Sequence, residues 1–232
     1  MKILSIDTST MISSCSVMED GIIVGDYNVN QKLTHSETLV PMVNDLLEKL
    51  NIKLSEIDLY VVGKGPGSFT GLRIGMTVAK TFAQINEKPI IGISTLEAIS
   101  SQIVTEKLIV PILDARGGRV YYGIYKNDNG KIINIEKDNL IYFEELVEKL
   151  KNLNEEIIFV GEFTEDILEE ISGNSKSFIA PSSINSCIGR SLCSLAFEKK
   201  EELNDENYLS LKPEYIRKSQ AERDLEKRKK TC

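Results

Sequence analysis

Residues 61–75, VVGKGPGSFTGLRIG, place five glycines between an apolar run and an amphipathic run. A strand, a glycine-rich turn and a helix N-terminus in this order commonly cradle a phosphate, because the first amides of the helix point at the ligand. Two standard phosphate signatures are nevertheless missing from the sequence. The dinucleotide-binding fingerprint is Gly-x-Gly-x-x-Gly, and a count from Gly65 puts Thr70 at the position of its third glycine. A P-loop ends in Gly-Lys-Ser or Gly-Lys-Thr, and the sequence contains neither triplet.

The glycines therefore predict a sharp turn and close packing of the following helix first, and a phosphate site only second. Arg73 lies one turn into that helix, where it could contact an anion or could be an ordinary solvated or interface residue. The residues assigned to this glycine-rich loop are Gly63, Gly65, Gly67, Ser68, Gly71 and Arg73.

The order of predicted elements repeats in the two halves of the chain. The first half reads as strands KILSID, SSCSVM and IIVGDYNV, a helix over 34–51, strand DLYVVG, a helix over 70–85, strand KPIIGIS and a helix after Ser94. The second half reads as strands KLIVPILDA, RVYYGIYK and KIINIE, a helix over 143–151, strand EIIFVGE, a helix over 164–171, strand KSFIA and a helix over 185–199. Such a duplication says more about the fold than any single motif does.

The duplication predicts an α/β fold of two lobes, each with a mixed sheet and helices. This is the architecture shared by actin, hexokinase and the heat-shock ATPases. We place the N-terminal lobe at residues 1–105, the C-terminal lobe at 106–211 and a basic tail or helix at 212–232.

Charge is distributed unevenly along the chain. The whole chain has 28 basic and 35 acidic residues and a net charge of −7, which does not indicate a general nucleic-acid coat. Residues 212–232 instead carry eight basic and four acidic residues. This tail could be a solvated helix that closes the N-terminal lobe, or it could contact the phosphates of a nucleic acid. The residues in question are Lys227, Arg228, Lys229 and Lys230.

We expect a cytoplasmic protein. The N-terminus MKILSIDTST has no long apolar segment, and no apolar run approaches the length of a membrane span. The four cysteines show no metal-like spacing, which favours reduced thiols.

The first predicted hairpin carries Asp7, Thr8, Ser9 and Thr10. In phosphotransferases of the predicted fold, an aspartate ends the first strand and a glycine soon after it lets amides reach the phosphate. Asp7 is therefore a candidate metal-facing carboxylate, and Asp7, Thr8 and Ser9 are a candidate residual ligand loop. No glycine follows Asp7 in the turn, so these side chains could equally satisfy the amides of the turn itself.

Six motifs then point to a family. IDTST, HSETLVPMV, GKGPGSFTGLRIG, GISTLEAIS, DARGGRVYYGIY and PEYIRKS resemble, in order and spacing, the bacterial TsaB family, also called YeaZ. The resemblance implies a non-catalytic, activating subunit of the complex that forms N6-threonylcarbamoyladenosine on tRNA next to the anticodon. It implies that the partners are a TsaD-like catalytic subunit and a TsaE-like ATPase, and that tRNA binds through the complex. It also implies a homodimer when the catalytic partner is absent, and no cofactor.

The single histidine agrees with a non-catalytic role. The catalytic relative holds its metal with an H-x-x-x-H helix, whereas here His35 is followed by Leu39 at the second ligand position. About three protein ligands are needed for a mononuclear catalytic site. We therefore expect no metal, and we expect His35 to cap its helix or to lie at an interface.

In the family, the two helices beside the glycine-rich loop join their counterparts on the partner in a four-helix bundle. The resemblance and the helical spacing together place these residues at the partner interface: Leu39, Met42, Val43, Leu46, Leu72, Met76 and Lys80. The alternative is that the apolar side chains belong to the core of the lobe. Pro41 should kink the first of these helices or displace its start.

Two functions from other classes stay open. A small ATPase or kinase of the same fold would need a phosphate hairpin with a glycine, and a metallopeptidase would need at least two convergent metal ligands.

One departure from the family is Arg119, on a strand that reads as edge-like, where many relatives carry glutamate.

Overall fold

The computed structural model describes residues 1–30, 34–173, 175–184, 189–199, 207–218 and 222. The elements of the first half are β1 (Lys2–Asp7), β2 (Ser13–Glu19), β3 (Ile22–Val29), α1 (His35–Leu50), β4 (Leu59–Gly65), α2 (Phe69–Ile85), β5 (Ile90–Ser94) and α3 (Thr95–Ser100). Those of the second half are β6 (Leu108–Asp114), β7 (Arg119–Asp128), β8 (Lys131–Tyr142), α4 (Phe143–Lys151), β9 (Ile157–Gly161), α5 (Glu165–Ser172), β10 (Ser177–Ile179) and α6 (Gly189–Lys199). Short 3₁₀ helices cover Leu54–Glu56 and Ser182–Ile184.

The predicted duplication is confirmed by the sheets. The first sheet has the order β3-β2-β1-β4-β5, and the second sheet has the equivalent order β8-β7-β6-β9-β10. In each sheet the first three strands pair antiparallel and the last two are added in parallel. Parallel neighbours need a crossover connection, which is why helices separate the later strands.

Three apolar clusters hold the layers together. The first lies between α1, α2 and the first sheet, and the second lies between the second sheet, α4 and α5. The third, between the two sheets, is formed around α3 and α6, whose buried side chains include Leu96, Ile99, Leu192 and Leu195. Every large face of both sheets is therefore covered by helices, which accounts for the continuous apolar character of β1, β4 and β6.

Helix α1 starts as its sequence predicts. The Thr34 backbone amide donates to the Glu37 carboxylate at 3.0 Å, in a capping box of the predicted spacing. The helix continues through Pro41, which lies on the exposed side, so the proline does not displace the helix start. Asn51 closes the helix in the left-handed region at φ 54°.

One expectation needs correction, and one lies partly outside the described residues. Strand β7 pairs with both β6 and β8, so Arg119 begins an interior strand rather than an edge-like one. Its guanidinium donates to the Tyr142 hydroxyl at 2.7 Å across the β7–β8 pair. The predicted helix over 185–199 begins at Gly189 among the described residues, and residues 185–188 lie outside them.

The end of the chain returns to the first lobe. Helix α6 packs against β1, β2 and β3, and Leu211 is buried in the cluster under α1 and α2. We call residues 207–218 the C-terminal strap. In it, 211–215 have no helix or strand geometry. Helix α6 and the strap therefore pack on the N-terminal lobe, although they follow the C-terminal lobe in sequence.

Candidate functional site: the glycine-rich loop and the α1–α2 face

The glycine-rich loop is packed directly against the first hairpin. A Cβ built at Gly71 would lie 1.9 Å from the Thr8 carbonyl oxygen, and one at Gly67 would lie 2.3 Å from the Ser9 carbonyl oxygen. A Cβ at Gly63 would lie 2.1 Å from Asp7 Oδ1. No side chain fits at these distances, so the glycines are required by the close approach of two backbone segments.

Hydrogen bonds join the same two segments. The Ser68 amide donates to the Ser9 carbonyl at 2.7 Å, and Thr8 Oγ1 donates to the Gly71 carbonyl at 2.7 Å. The Gly71 amide donates to Ser68 Oγ at 3.3 Å, which caps α2. These N-terminal groups of α2 are thus used inside the protein, where a phosphate cradle would direct them at a ligand.

The candidate residual ligand loop is buried. Asp7, Thr8, Ser9 and Thr10 are exposed by 4% or less. The glycine-rich loop covers them from the side on which a nucleotide phosphate would have to approach. Thr8 Oγ1 donates to the Gly71 carbonyl, and Thr10 Oγ1 accepts a hydrogen bond from the Ile12 amide of the turn at 3.2 Å.

Arg73 is engaged with aromatic rings. Its Nε donates to the Tyr215 hydroxyl at 3.0 Å, and its guanidinium carbon lies 4.1 Å from the centre of the Phe69 ring. Phe69 and Tyr215 are themselves stacked, with ring centres 4.5 Å apart. The arginine therefore fixes the C-terminal strap on α2 by hydrogen bonding and cation–π contact.

Three further contacts seat the strap. The Glu214 amide donates to the Lys64 carbonyl at 2.7 Å, and Lys80 Nζ donates to the Leu211 carbonyl at 3.1 Å. Gly65 has φ +110°, and a Cβ there would lie 2.8 Å from the Glu214 carbonyl oxygen. A glycine is needed at this position both for the positive φ and for the space.

The predicted interface side chains lie in the core of the lobe itself, so that assignment is corrected. Helices α1 and α2 lie on the first sheet, and their apolar stripes pack against residues such as Leu4, Ile6 and Val62. The exposed fractions are Leu39 0%, Met42 8%, Val43 2%, Leu46 2%, Leu72 2% and Met76 3%. Lys80 is half-buried under the strap.

The exposed side chains of α1 include Glu37, Glu48 and Lys49, whereas the outer side of α2 is mostly uncharged. Within α2, the exposed positions after Arg73 carry no charge, and Ile85 is 71% exposed. Depletion of charge is typical of the centre of a protein interface. The α1–α2 face, as the term is used below, consists of Val40, Ile74, Thr77, Val78, Thr81, Gln84 and Ile85.

His35 anchors α1 to the first sheet. Its Nδ1 lies 2.7 Å from Ser13 Oγ on β2, and the same hydroxyl lies 3.3 Å from Thr38 Oγ1. Among the described residues, no group of three or more His, Cys, Asp or Glu side chains could hold a metal ion. The imidazole thus has a structural hydrogen bond at the start of the helix, in place of a metal-binding neighbour.

The second hairpin, between β6 and β7, is the counterpart of the first. It contains three successive residues in the left-handed region, Arg116 (φ 64°), Gly117 (φ 69°) and Gly118 (φ 68°). The Arg116 amide donates to Asp114 Oδ1 at 2.7 Å, and Arg217 of the strap donates to the Ala115 and Arg116 carbonyls. The strap therefore connects the glycine-rich loop of one lobe to the hairpin of the other.

An acidic group lies beside this hairpin. Burial raises the pKa of the Glu162 carboxyl, the negative charge of Asp114 raises it further, and a hydrogen bond from the Met11 backbone opposes both effects. Met11 follows the first hairpin and Glu162 follows β9, so this contact joins the two lobes.

Comparison with known proteins places this geometry in a class. A family model described as "TsaD: tRNA N6-adenosine threonylcarbamoyltransferase" matches residues 28–224. The chain also matches the solved structure "YeaZ from Pseudomonas aeruginosa" with a TM-score of 0.77 and 23% identity, over 92% of this chain and 99% of that one. It therefore has the duplicated α/β fold of that structure, and its sequence matches the TsaD family model over most of its length.

Curated relatives narrow the class. The tRNA threonylcarbamoyladenosine biosynthesis protein TsaB of Bacillus subtilis (strain 168) is 33% identical over 226 residues, which is 96% of both chains. The protein of the same name from Escherichia coli (strain K12) is 33% identical over 165 residues, 69% of this chain and 71% of the relative. The chain belongs to the TsaB (YeaZ) family, as its motifs predicted. In the described part of the chain, no helix is long and apolar enough to cross a membrane.

Proposed function

We propose that this chain is a non-catalytic, activating subunit of the complex that forms N6-threonylcarbamoyladenosine on tRNA. It acts by binding a TsaD-like catalytic subunit through the α1–α2 face. The family model carries the name of the transferase, and the curated relatives carry the name of the biosynthetic pathway. A TsaE-like ATPase and the tRNA join through the assembled complex, and a second copy of this chain occupies the face when the partner is absent.

The observation that carries the proposal is the contrast between the two faces of α2. Its inner face packs against the first sheet. The exposed side chains beyond Arg73 are uncharged: Thr77, Thr81, Gln84 and Ile85. Charged side chains make up 27% of the chain, so four exposed helical positions without charge favour a surface that a partner covers.

The packing of the loop supports the non-catalytic part. The two amides that would approach a nucleotide phosphate, those of Ser68 and Gly71, donate instead to the Ser9 carbonyl and to Ser68 Oγ. In phosphotransferases of this fold, the first hairpin lets backbone amides reach the phosphate. Here the first hairpin and the glycine-rich loop position α2, and thereby the α1–α2 face.

The proposal is tested by assembly with the TsaD-like subunit of the same organism. Thr77→Arg with Thr81→Arg places two charges on the face at exposed positions, so the monomer should stay folded. We expect co-elution in size-exclusion chromatography to be lost. Glu148→Arg, at an exposed position of α4, is the matched control and should assemble normally. Normal assembly of the double variant would overturn the choice of face, and failure of the wild type to assemble would overturn the function.

A further inference from the structure

Basic side chains follow the C-terminal strap from one end to the other. Lys80 contacts the strap at Leu211, Lys64 at Glu214, and Arg73 at Tyr215. At the far end, Arg217 reaches the backbone of Arg116. Residues 211–215 have neither helix nor strand geometry, and residues 216–217 form a bend. These contacts, two through side chains and two through backbone carbonyls, order the basic residues along one line that crosses from the first lobe to the second hairpin.

The charge of this line differs from that of the rest of the chain. Its exposed side chains comprise four cations, Arg73, Arg116, Lys212 and Lys218, and two carboxylates, Glu214 and Asp114, while Lys64, Lys80 and Arg217 are half-buried. Within the described residues, no ion pair with a carboxylate is found for Lys64, Arg73, Arg116 or Lys212. A net charge of −7 makes such a row unusual for this protein.

Aromatic groups accompany the cations. The Tyr215 ring is 40% exposed, and Phe69 and Arg73 support it from beneath. A cationic path beside an exposed aromatic ring is the usual surface for an RNA strand, because phosphates follow the cations and a base can stack on the ring. An acidic protein surface would use the cations but has no specific need for the ring.

We propose that the strap and the cations beside it form a contact surface for the sugar-phosphate backbone of tRNA. This inference rests on the proposed function, since it assumes that the assembled complex binds tRNA. It locates the contact on the described strap, upstream of the basic residues Lys227–Lys230, which lie outside the described residues.

The test measures tRNA affinity of the assembled complex over a range of salt concentrations. Arg116→Asn, Lys212→Gln and Lys218→Gln remove three exposed charges, and asparagine tolerates the positive φ of position 116. Each phosphate contact contributes about 0.7–0.9 to the slope of log K against log salt concentration. We expect the triple variant to lower the slope by about 2.

The matched control removes three exposed lysines at a distance from the strap, through Lys131→Gln, Lys137→Gln and Lys151→Gln. The control should leave the slope unchanged, although it alters the net charge equally. An unchanged slope in the strap variant, with assembly intact, would overturn the inference and leave the proposed function standing. Loss of assembly in the strap variant would overturn it as well, because the strap would then belong to the protein interface.

Discussion

Thr8 and Gly71 are joined in two ways across 63 residues of sequence. Thr8 Oγ1 donates to the Gly71 carbonyl at 2.7 Å, and the Thr8 carbonyl occupies the space that a Cβ at Gly71 would need. The first hairpin and the start of α2 are thus one rigid unit. The position of the α1–α2 face depends on this unit, because α2 is held at its N-terminus by the hairpin.

Gly71→Ala should be strongly destabilising. Its Cβ would meet the Thr8 carbonyl oxygen at 1.9 Å, and two backbone segments have to separate before it fits. Overpacking of this kind costs at least about 2 kcal/mol of unfolding free energy. Gly173→Ala is the control, since its nearest neighbour lies at 3.6 Å, and urea unfolding should show almost no change there. Equal stability of the two variants would refute the close packing.

Leu46→Ala should destabilise the isolated chain. Leu46 is on the buried side of α1 and is 2% exposed, so the truncation leaves a cavity. The cavity should lower the free energy of unfolding by about 2–5 kcal/mol. Val40→Ala, on the exposed side of the same helix at 45% exposure, should change unfolding by less than about 1 kcal/mol. If Leu46→Ala left the unfolding free energy unchanged but weakened assembly, the prediction that Leu46 faces the partner would be right.

Asp138 should make stability fall as the pH rises. Ser94 and Tyr125 both donate to its carboxylate, but burial raises its pKa, and the charges of Glu214 and Glu97 raise it further. A pKa raised in the folded state gives a stabilising contribution below the unfolded value of about 3.9, which is lost as the pH passes the folded value.

Asp138→Asn removes this titration. The unfolding free energy of the wild type minus that of the variant should therefore decrease as the pH increases from 4 to 7, as measured by urea unfolding at each pH. A difference that increases over this interval would mean that the two hydroxyl donors lower the pKa of Asp138 instead, and the explanation from burial would be wrong.

The purified protein should hold no stoichiometric zinc or iron. His35 is hydrogen-bonded to Ser13, and the described residues contain no cluster of three possible ligands. Chelation should therefore leave the thermal midpoint where it was. One tightly bound metal per chain, detected by elemental analysis, would instead support the metalloenzyme alternative.

Much of the fold could be predicted because periodicity and turn residues act locally. Helix α4 was predicted to the residue, and the strand order of the two halves agrees with the repeat. The use of each surface could not be predicted in this way. The spacing of Leu39 and Leu46 indicates an apolar stripe, but the same stripe suits a sheet or a partner helix.

The contacts within the site were harder to predict from the sequence than the use of each surface. Arg73 finds its aromatic partner Tyr215 at a separation of 142 residues, and Gly71 finds Thr8 at 63. Such contacts depend on the assembled sheets, which no local pattern encodes. A signal for the α1–α2 face was nevertheless present in the sequence, since residues 74–85 include one charged residue, Lys80.

The central claim is that the chain supplies a binding surface and no catalytic group. The most direct measurement is the rate of tRNA threonylcarbamoylation by the reconstituted complex. We predict that Thr77→Arg with Thr81→Arg lowers the rate only as far as assembly is lost, so that raising the subunit concentration restores it. Asp114→Asn and Glu162→Gln, at the junction of the lobes, should leave the rate of the fully assembled complex within about twofold, whereas loss of a general acid or base costs about 10²–10⁴-fold. A reduction of that size in either junction variant, with assembly intact, would contradict the account.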